Sequence, residues 1–285
     1  MTPNRKVGVL AADSISVGLV QSHQLVGKVH SFEGLHSLPH SEIAQVLRDR
    51  IQEACTANSF DLADIEGIGI GVAGIVSDGE IQESPNLPQM KGLKLRDALQ
   101  AVGLKNINVM NDADAMAAGI AATRGHLEKL VRVWTLGHGV GYGRYPQIAG
   151  PCEGGHMVVT LDPKEQFCGC GGKGHLEGIV GNRSMRLRFL DLEPEEVFAA
   201  AKQKDERCAT FVKLWHRALA AATANSVHLE GCGKFYISGM NAPHIDTDLL
   251  LRYLYDMVKM SPLQGSVFEI IDTTAELALI GACVA

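Results

Sequence analysis

The chain has 285 residues, 46% of them hydrophobic and 20% charged, with a formal net charge of −6. Its length accommodates two domains of ordinary size, its composition is that of a soluble globular protein, and its acidic balance, without any run of Lys and Arg, argues against nucleic acid as a partner. The first residues lack the long apolar core and small-residue cleavage site of a secretory signal, and no apolar run is long enough to span a membrane. Seven cysteines, an odd number, in such a chain predict a reducing, cytoplasmic setting. Cys55, Cys152, Cys208, Cys232 and Cys283 are expected to be small buried apolar residues.

Residues 6–31 alternate apolar and small residues and predict three strands, with turns at Ala12-Asp13-Ser14 and Gln21-Ser22-His23. Residues 39–59 predict a helix with Ser41 as N-cap and Ile43, Val46, Leu47, Ile51 and Ala54 on its apolar face. Residues 67–76 predict a buried strand running into a glycine bend. A polar loop follows, then a helix near 93–102, a short strand at 106–112, and a helix over 113–125 stopped by Gly125. The stretch 131–150 repeats the opening pattern of strand, glycine turn and strand about 124 residues on, which predicts two related lobes with a cleft between them. Helices are expected over 194–230, a strand over 234–239, a helix over 247–260, and an apolar tail over 274–285 that packs on the body. Strands alternate with helices throughout, so the class is α/β.

Between these halves lies a stretch dense in metal-binding chemistry. Cys168 and Cys170 put two thiols one residue apart on a glycine-rich turn. His175 follows five residues after Cys170, and His156 lies twelve before Cys168. Two sulfurs and two imidazoles suit tetrahedral Zn²⁺; a redox pair, or plain loop residues, are the alternatives on spacing alone. Glu153 and Glu177 flank the cluster.

The run Glu153-Gly-Gly-His156, Asp162-Pro163 and Cys168-x-Cys170-Gly-x-x-Gly-His175-x-Glu177 resembles the zinc signature of the ROK family of sugar kinases and sugar-responsive regulators. It departs at one ligand, where His175 stands in place of a third cysteine. The resemblance extends over nearly the whole chain. It implies the actin-like, ribonuclease-H-like two-lobed fold, with a small lobe over 1–112 completed by a C-terminal helix at 272–285, and a large lobe over 113–271 holding the zinc loop. It implies transfer of a phosphoryl group from ATP with Mg²⁺ to the 6-hydroxyl of a hexose or N-acetylhexosamine. It also implies a homodimer.

Asp112, where a strand ends and a helix begins, is either a helix cap or a carboxylate that takes the hydroxyl proton. Asn111-Asp112-Ala113 matches the family's N-D-A motif, which implies the catalytic role. Asp114 fits the charge preference of a helix start. The resemblance places Asn86, Asn111, Glu153, His156 and Glu177 around the sugar, with structural zinc on His156, Cys168, Cys170 and His175. Gly71-Val-Ala-Gly74 resembles the family's bend beside the sugar. Gly137, His138, Gly139 and Gly239 resemble its nucleotide loops, with His138 in place of threonine and Ser238 in place of glycine.

The first phosphate loop departs most. The family opens with D-x-G-G-T-K, whereas this chain reads Leu10-Ala11-Ala12-Asp13-Ser14. An altered phosphoryl donor, a metal arrangement through Asp13, a sugar-binding pseudokinase and a tolerated drift are all compatible with that change. The chain opens on its first strand without the helix-turn-helix of the family's repressors, so DNA contact is not expected.

Overall fold

A computed structural model describes residues 5–12, 14–36, 38–148 and 150–284; Asp13 lies outside the described residues. The alternating start of the chain forms β1 (Arg5–Ala11), β2 (Ser14–Gln21) and β3 (Gln24–Glu33). There follow α1 (Ile43–Ala57), β4 (Gly67–Val72), β5 (Ile75–Ser77), β6 (Glu80–Glu83), β7 (Leu93–Lys94), α2 (Leu95–Ala101), β8 (Ile107–Asn111) and α3 (Asp112–Thr123). The second half contains β9 (Val131–Leu136), β10 (Val140–Tyr145), α4 (Glu177–Val180), α5 (Asn182–Arg188), α6 (Pro194–Lys202), α7 (Glu206–Glu230), β11 (Lys234–Ser238), α8 (Thr247–Met257), β12 (Val267–Ile270) and α9 (Ala275–Ala282).

The chain divides into two packing units. The first comprises Met1–Val131, Gly143–Cys152 and Thr274–Ala285, and the second Arg132–Tyr142 and Glu153–Thr273. The first unit is built on the sheet order β3-β2-β1-β4-β8, the second on β10-β9-β11-β12. Strand β1 runs antiparallel to β2 and parallel to β4, and β4 runs parallel to β8. In the second unit β9, β11 and β12 are parallel neighbours. The orders β2-β1-β4-β8 and β10-β9-β11-β12 correspond, so the repeat visible in the sequence is a repeat of strand order.

Period-two alternation gives the first sheet two unlike faces. Val7, Val9, Ile15, Val17, Ile68 and Ile70 join Leu47, Ile51 and Leu99 of α1 and α2 in one apolar core. The other face carries glycines. A Cβ on Gly8 would stand 2.2 Å from the Leu279 carbonyl oxygen, and one on Gly69 2.0 Å from that of Ala282. The backbone of α9 therefore lies directly on the sheet. The same close approach joins α9 to α3, where a Cβ on Gly281 would stand 1.7 Å from the Ala115 carbonyl oxygen. The apolar tail packs on the body in this way.

In the second unit Arg132 is fully buried. Its Nη1 donates to Ser226 Oγ at 3.1 Å and to the Gly231 carbonyl at 3.0 Å, and its guanidinium lies 3.9 Å from the Phe235 ring centre. His216 is also buried. Its Nδ1 pairs with the Val212 carbonyl at 2.8 Å, and its Nε2 accepts the Asp246 N–H at 2.9 Å. Those two bonds fix a neutral ring, and burial holds its pKa below the ordinary value.

Several local expectations are corrected. The residue before α1 is Glu42, without a side-chain cap, and not Ser41. The polar loop after β4 contains the antiparallel pair β5–β6, with β7 added beside β6. Helices α4 and α5 and strand β12 were not read from sequence. Cys55, Cys208 and Cys283 are buried, but Cys152 is half-buried and Cys232 exposed.

Gly281→Ala is expected to lower stability by about 1–3 kcal/mol, because backbone cannot retreat as a flexible side chain can; an unchanged melting temperature would contradict the close approach. His216, depressed in the fold, supplies stability that is complete above 6.5, its ordinary value, and is lost as pH falls towards its folded value. Urea midpoints of the wild type are expected to fall below that pH, and those of His216→Gln to fall less.

Candidate functional site

The candidate residues fall into two polar clusters, one in each unit. In the first unit, Asn111 closes β8 and caps α3. Its Oδ1 accepts the N–H groups of Ala113 and Asp114 at 2.8 and 3.2 Å, the usual work of an N-cap. Its Nδ2 donates to the Gly74 carbonyl at 2.9 Å, which ties the glycine bend to the helix start. Gly74 has φ +140°, and a Cβ there would stand 2.2 Å from the Glu83 carbonyl oxygen. Because Asn111 is the cap, Asp112 is left as the first helical residue, half-buried, with its Oδ1 accepting the Ala113 N–H at 3.0 Å. The positive end of the helix favours a carboxylate there.

Asp114 does more than suit a helix start. It accepts the Arg144 N–H at 2.9 Å and a bond from Gln147 Nε2 at 3.2 Å. Burial raises its pKa. Asn86 lies exposed in the loop before Pro88–Met90. Leu10, at the end of β1, packs against Met110, Ala115, Ala278 and Ala282.

In the second unit the metal-ligand candidates converge. Met157 to Val159 run beside Gly174 to Leu176, through Val159 N–H to Gly174 O at 2.8 Å and Leu176 N–H to Met157 O at 2.9 Å. This short pairing brings His156 and His175 together, with ring centres 5.4 Å apart. The turn between carries the thiols: Gly171 N–H donates to Cys168 O at 3.0 Å. Residues the sequence did not flag anchor the loop. Arg188 pairs with Glu165 and lies 4.5 Å from the Phe167 ring centre, and Ser184 Oγ donates to Phe167 O at 2.9 Å.

The ligand atoms of His156, Cys168, Cys170 and His175 all lie within 4.8 Å of one another. Cys168 Sγ is 3.5 Å from His156 Nδ1 and 3.4 Å from Cys170 Sγ, and Cys170 Sγ is 3.3 Å from His175 Nδ1. The edges of a tetrahedron around zinc are roughly 3.3–3.8 Å for such ligands, so the donor set fits that ion. The sulfurs are too far apart for a disulfide, and both cysteines are free. Burial, with the Cys170 and Glu177 groups beside it, pushes the Cys168 thiol up to about 12; metal ligation would reverse that preference. Burial first, then His156, lowers His175.

His156 turns its Nε2 to Glu153, 4.0 Å from a carboxylate oxygen. Glu177, the first residue of α4, links the loop to the glycine hairpin after β9. Its Oε2 accepts the Val140 N–H at 3.0 Å, and its Oε1 lies 3.6 Å from Cys168 Sγ. The hairpin is held from its other side as well: Asn182 and Arg183 at the start of α5 donate to the carbonyls of Gly137 and His138 at 2.9 and 3.2 Å. His138 is exposed. Gly239 has φ +102°, a Cβ there would stand 2.2 Å from Leu136 O, and its N–H donates to Thr273 Oγ1 at 2.7 Å. The structure thus brings Asn111 and Asp112 together, and Glu153, His156, Glu177, the thiols and the Gly137–Gly139 hairpin together, each within one unit.

The model of the ROK family matches residues 10–276. A glucokinase of Pyrobaculum calidifontis is 29% identical over 176 residues, 56% of this chain and 58% of that protein. A glucokinase of Thermotoga maritima is 29% identical over 256 residues, 78% of each. The chain thus spans less than two thirds of the first relative's length and more than three quarters of the second's. A ROK hexokinase from Thermus thermophilus superposes with a TM-score of 0.81 at 20% identity, covering 98% of this chain and 97% of that one. The fold is accordingly the actin-like, ribonuclease-H-like α/β fold.

Gly139→Ala would place a Cβ 2.6 Å from Glu177 Oε2 and displace the carboxylate from the Val140 N–H. Faster hydrogen exchange at Val140 is the expected result; unchanged exchange would contradict the link between hairpin and helix.

Proposed function

The chain belongs to the ROK family, and from that premise we propose that it is a sugar kinase, moving a phosphoryl group from ATP to the 6-hydroxyl of a hexose or N-acetylhexosamine. The observation that carries this reading is the Asp112 carboxylate on the first residue of α3, directly after the capping Asn111. A carboxylate in that place can accept the proton of a sugar hydroxyl as its oxygen attacks the terminal phosphorus, and the leaving nucleoside diphosphate takes the electron pair. The reaction asks for little else of the protein beyond positioning and charge stabilisation.

Glu153, His156 and Glu177 are proposed to accept and donate to the sugar hydroxyls, aided by Asn86 and by the second Nδ2 proton of Asn111, the first being given to the Gly74 carbonyl. Zinc would be held by His156, Cys168, Cys170 and His175, and its chemistry when bound is structural: it fixes the loop that aims His156 Nε2. The glycine hairpin of Gly137, His138 and Gly139, with Gly239, is the proposed nucleotide side. Mg²⁺ with ATP, a homodimeric assembly and a cytoplasmic location belong to the same reading. No helix among the described residues is long and apolar enough to cross a membrane.

A second reading has its own support. Leu10 offers no oxygen ligand and lies in an apolar cluster, and the Gly239 N–H is given to Thr273. Both features suit a sugar-binding protein without transfer, or a kinase with another donor.

Asp112→Asn tests the role of the base. Transfer is expected to fall by about 10²–10⁴-fold, with sugar affinity changed only a few-fold. Normal turnover in the variant would remove Asp112 as the base.

A further inference from the structure

The glycines of the metal-ligand loop are required for different reasons. Gly171 and Gly174 have φ of +81° and +69°, a backbone that glycine alone adopts at no steric cost. A Cβ on Gly174 would also stand 2.0 Å from the Thr160 carbonyl oxygen. At Gly169 the nearest atom to a Cβ is Arg183 Nη1 at 3.1 Å, the far end of a flexible side chain. Gly172 differs from all three. Its φ lies outside the left-handed region, so its backbone suits any residue, yet the three atoms nearest a Cβ there all belong to the His175 ring: Cε1 at 2.0 Å, Nε2 at 2.5 Å and Nδ1 at 2.7 Å.

The imidazole of His175 therefore lies over the α-carbon of Gly172, where the left-handed φ of Gly171 and Gly174 is absent. The ring turns its Nδ1 to Cys170 Sγ from there, at 3.3 Å. A methyl group at 172 would expel the ring, and Nδ1 would leave the sulfurs with it. A thiol at 175 carries one heavy atom beyond Cβ and does not reach over residue 172 in the way a five-membered ring does.

We propose that Gly172 is a positioning residue for His175, and that the two form a unit: the metal-ligand set with histidine at 175 requires glycine at 172, whereas cysteine at 175 does not. The proposal rests on the reading of these four ligands as a zinc site. It predicts a coupling between two positions that no single substitution reveals.

The experiment compares zinc affinity, by chelator competition, in the wild type, Gly172→Ala, His175→Cys and the double variant, with melting temperatures in chelator as the control. Gly172→Ala is expected to bind zinc about 10- to 100-fold more weakly, with the metal-free melting temperature unchanged. His175→Cys keeps zinc, and the double variant regains affinity within a few-fold of His175→Cys. Rescue of the same alanine by a smaller ligand separates lost ligation from a damaged loop, even if Gly172→Ala folds poorly. Wild-type affinity in Gly172→Ala, or no rescue in the double variant, overturns the inference alone. Absence of zinc binding in the wild type overturns both the inference and the zinc reading beneath it.

Discussion

The first unit depends on direct contact between the backbone of α9 and its surroundings. Gly8 and Gly69 remove side chains from the sheet face that α9 covers, and Gly119 and Gly281 do the same between α9 and α3. Glycine costs conformational entropy in regular elements, and the compensation is packing at a distance no alanine permits. The consequence is positional. With α3 held against α9 and β8 held in the sheet, the start of α3 has little freedom, and Asn111 and Asp112 sit on that start. Asn111 caps the helix through its Oδ1, and Asp112 follows as the first helical residue, where the positive end of α3 favours its carboxylate.

In the second unit one side chain joins the metal-ligand loop to the glycine hairpin. Glu177 touches the glycine hairpin through Val140 and lies against Cys168, so the metal-ligand loop and the hairpin share a carboxylate. The loop in turn is pinned by Arg188, Glu165 and Ser184. A loop of this composition has little apolar surface to bury, which is why four potential ligands, an ion pair and a short strand-like pairing are concentrated within it.

Much of this was legible in the sequence, and the remainder was hidden for physical reasons. The opening strands, α1, α3, α7 and the repeated strand order follow from period and apolar content, which burial enforces. Strand β12 escaped because four residues carry too little pattern, and β6 because only Ile81 in it is buried. Helices α4 and α5 are short and follow a stretch whose residues read as ligands. The choice between Asn111 and Asp112 as cap depends on backbone angles that two adjacent polar residues do not reveal. Glu153, His156, Cys168, Cys170, His175 and Glu177 were identifiable by residue type and spacing, but the crowding of His175 over Gly172 and the role of Asp114 exist only in three dimensions. Leu10 shows the reverse: its oddness is plain in the sequence, and the structure adds that it is comfortably packed.

Leu10 at the end of β1 stands where the proposed transfer of a phosphoryl group to a sugar is most exposed to disproof. The most direct measurement offers the metal-replete protein a panel of hexoses and N-acetylhexosamines with ATP, GTP or polyphosphate, and follows the sugar phosphate by mass. One sugar is expected to gain a phosphate at its 6-hydroxyl, with ATP as donor. No phosphorylated sugar from any pair, while a sugar still raises the melting temperature, would contradict it and leave a sugar-binding protein without transfer.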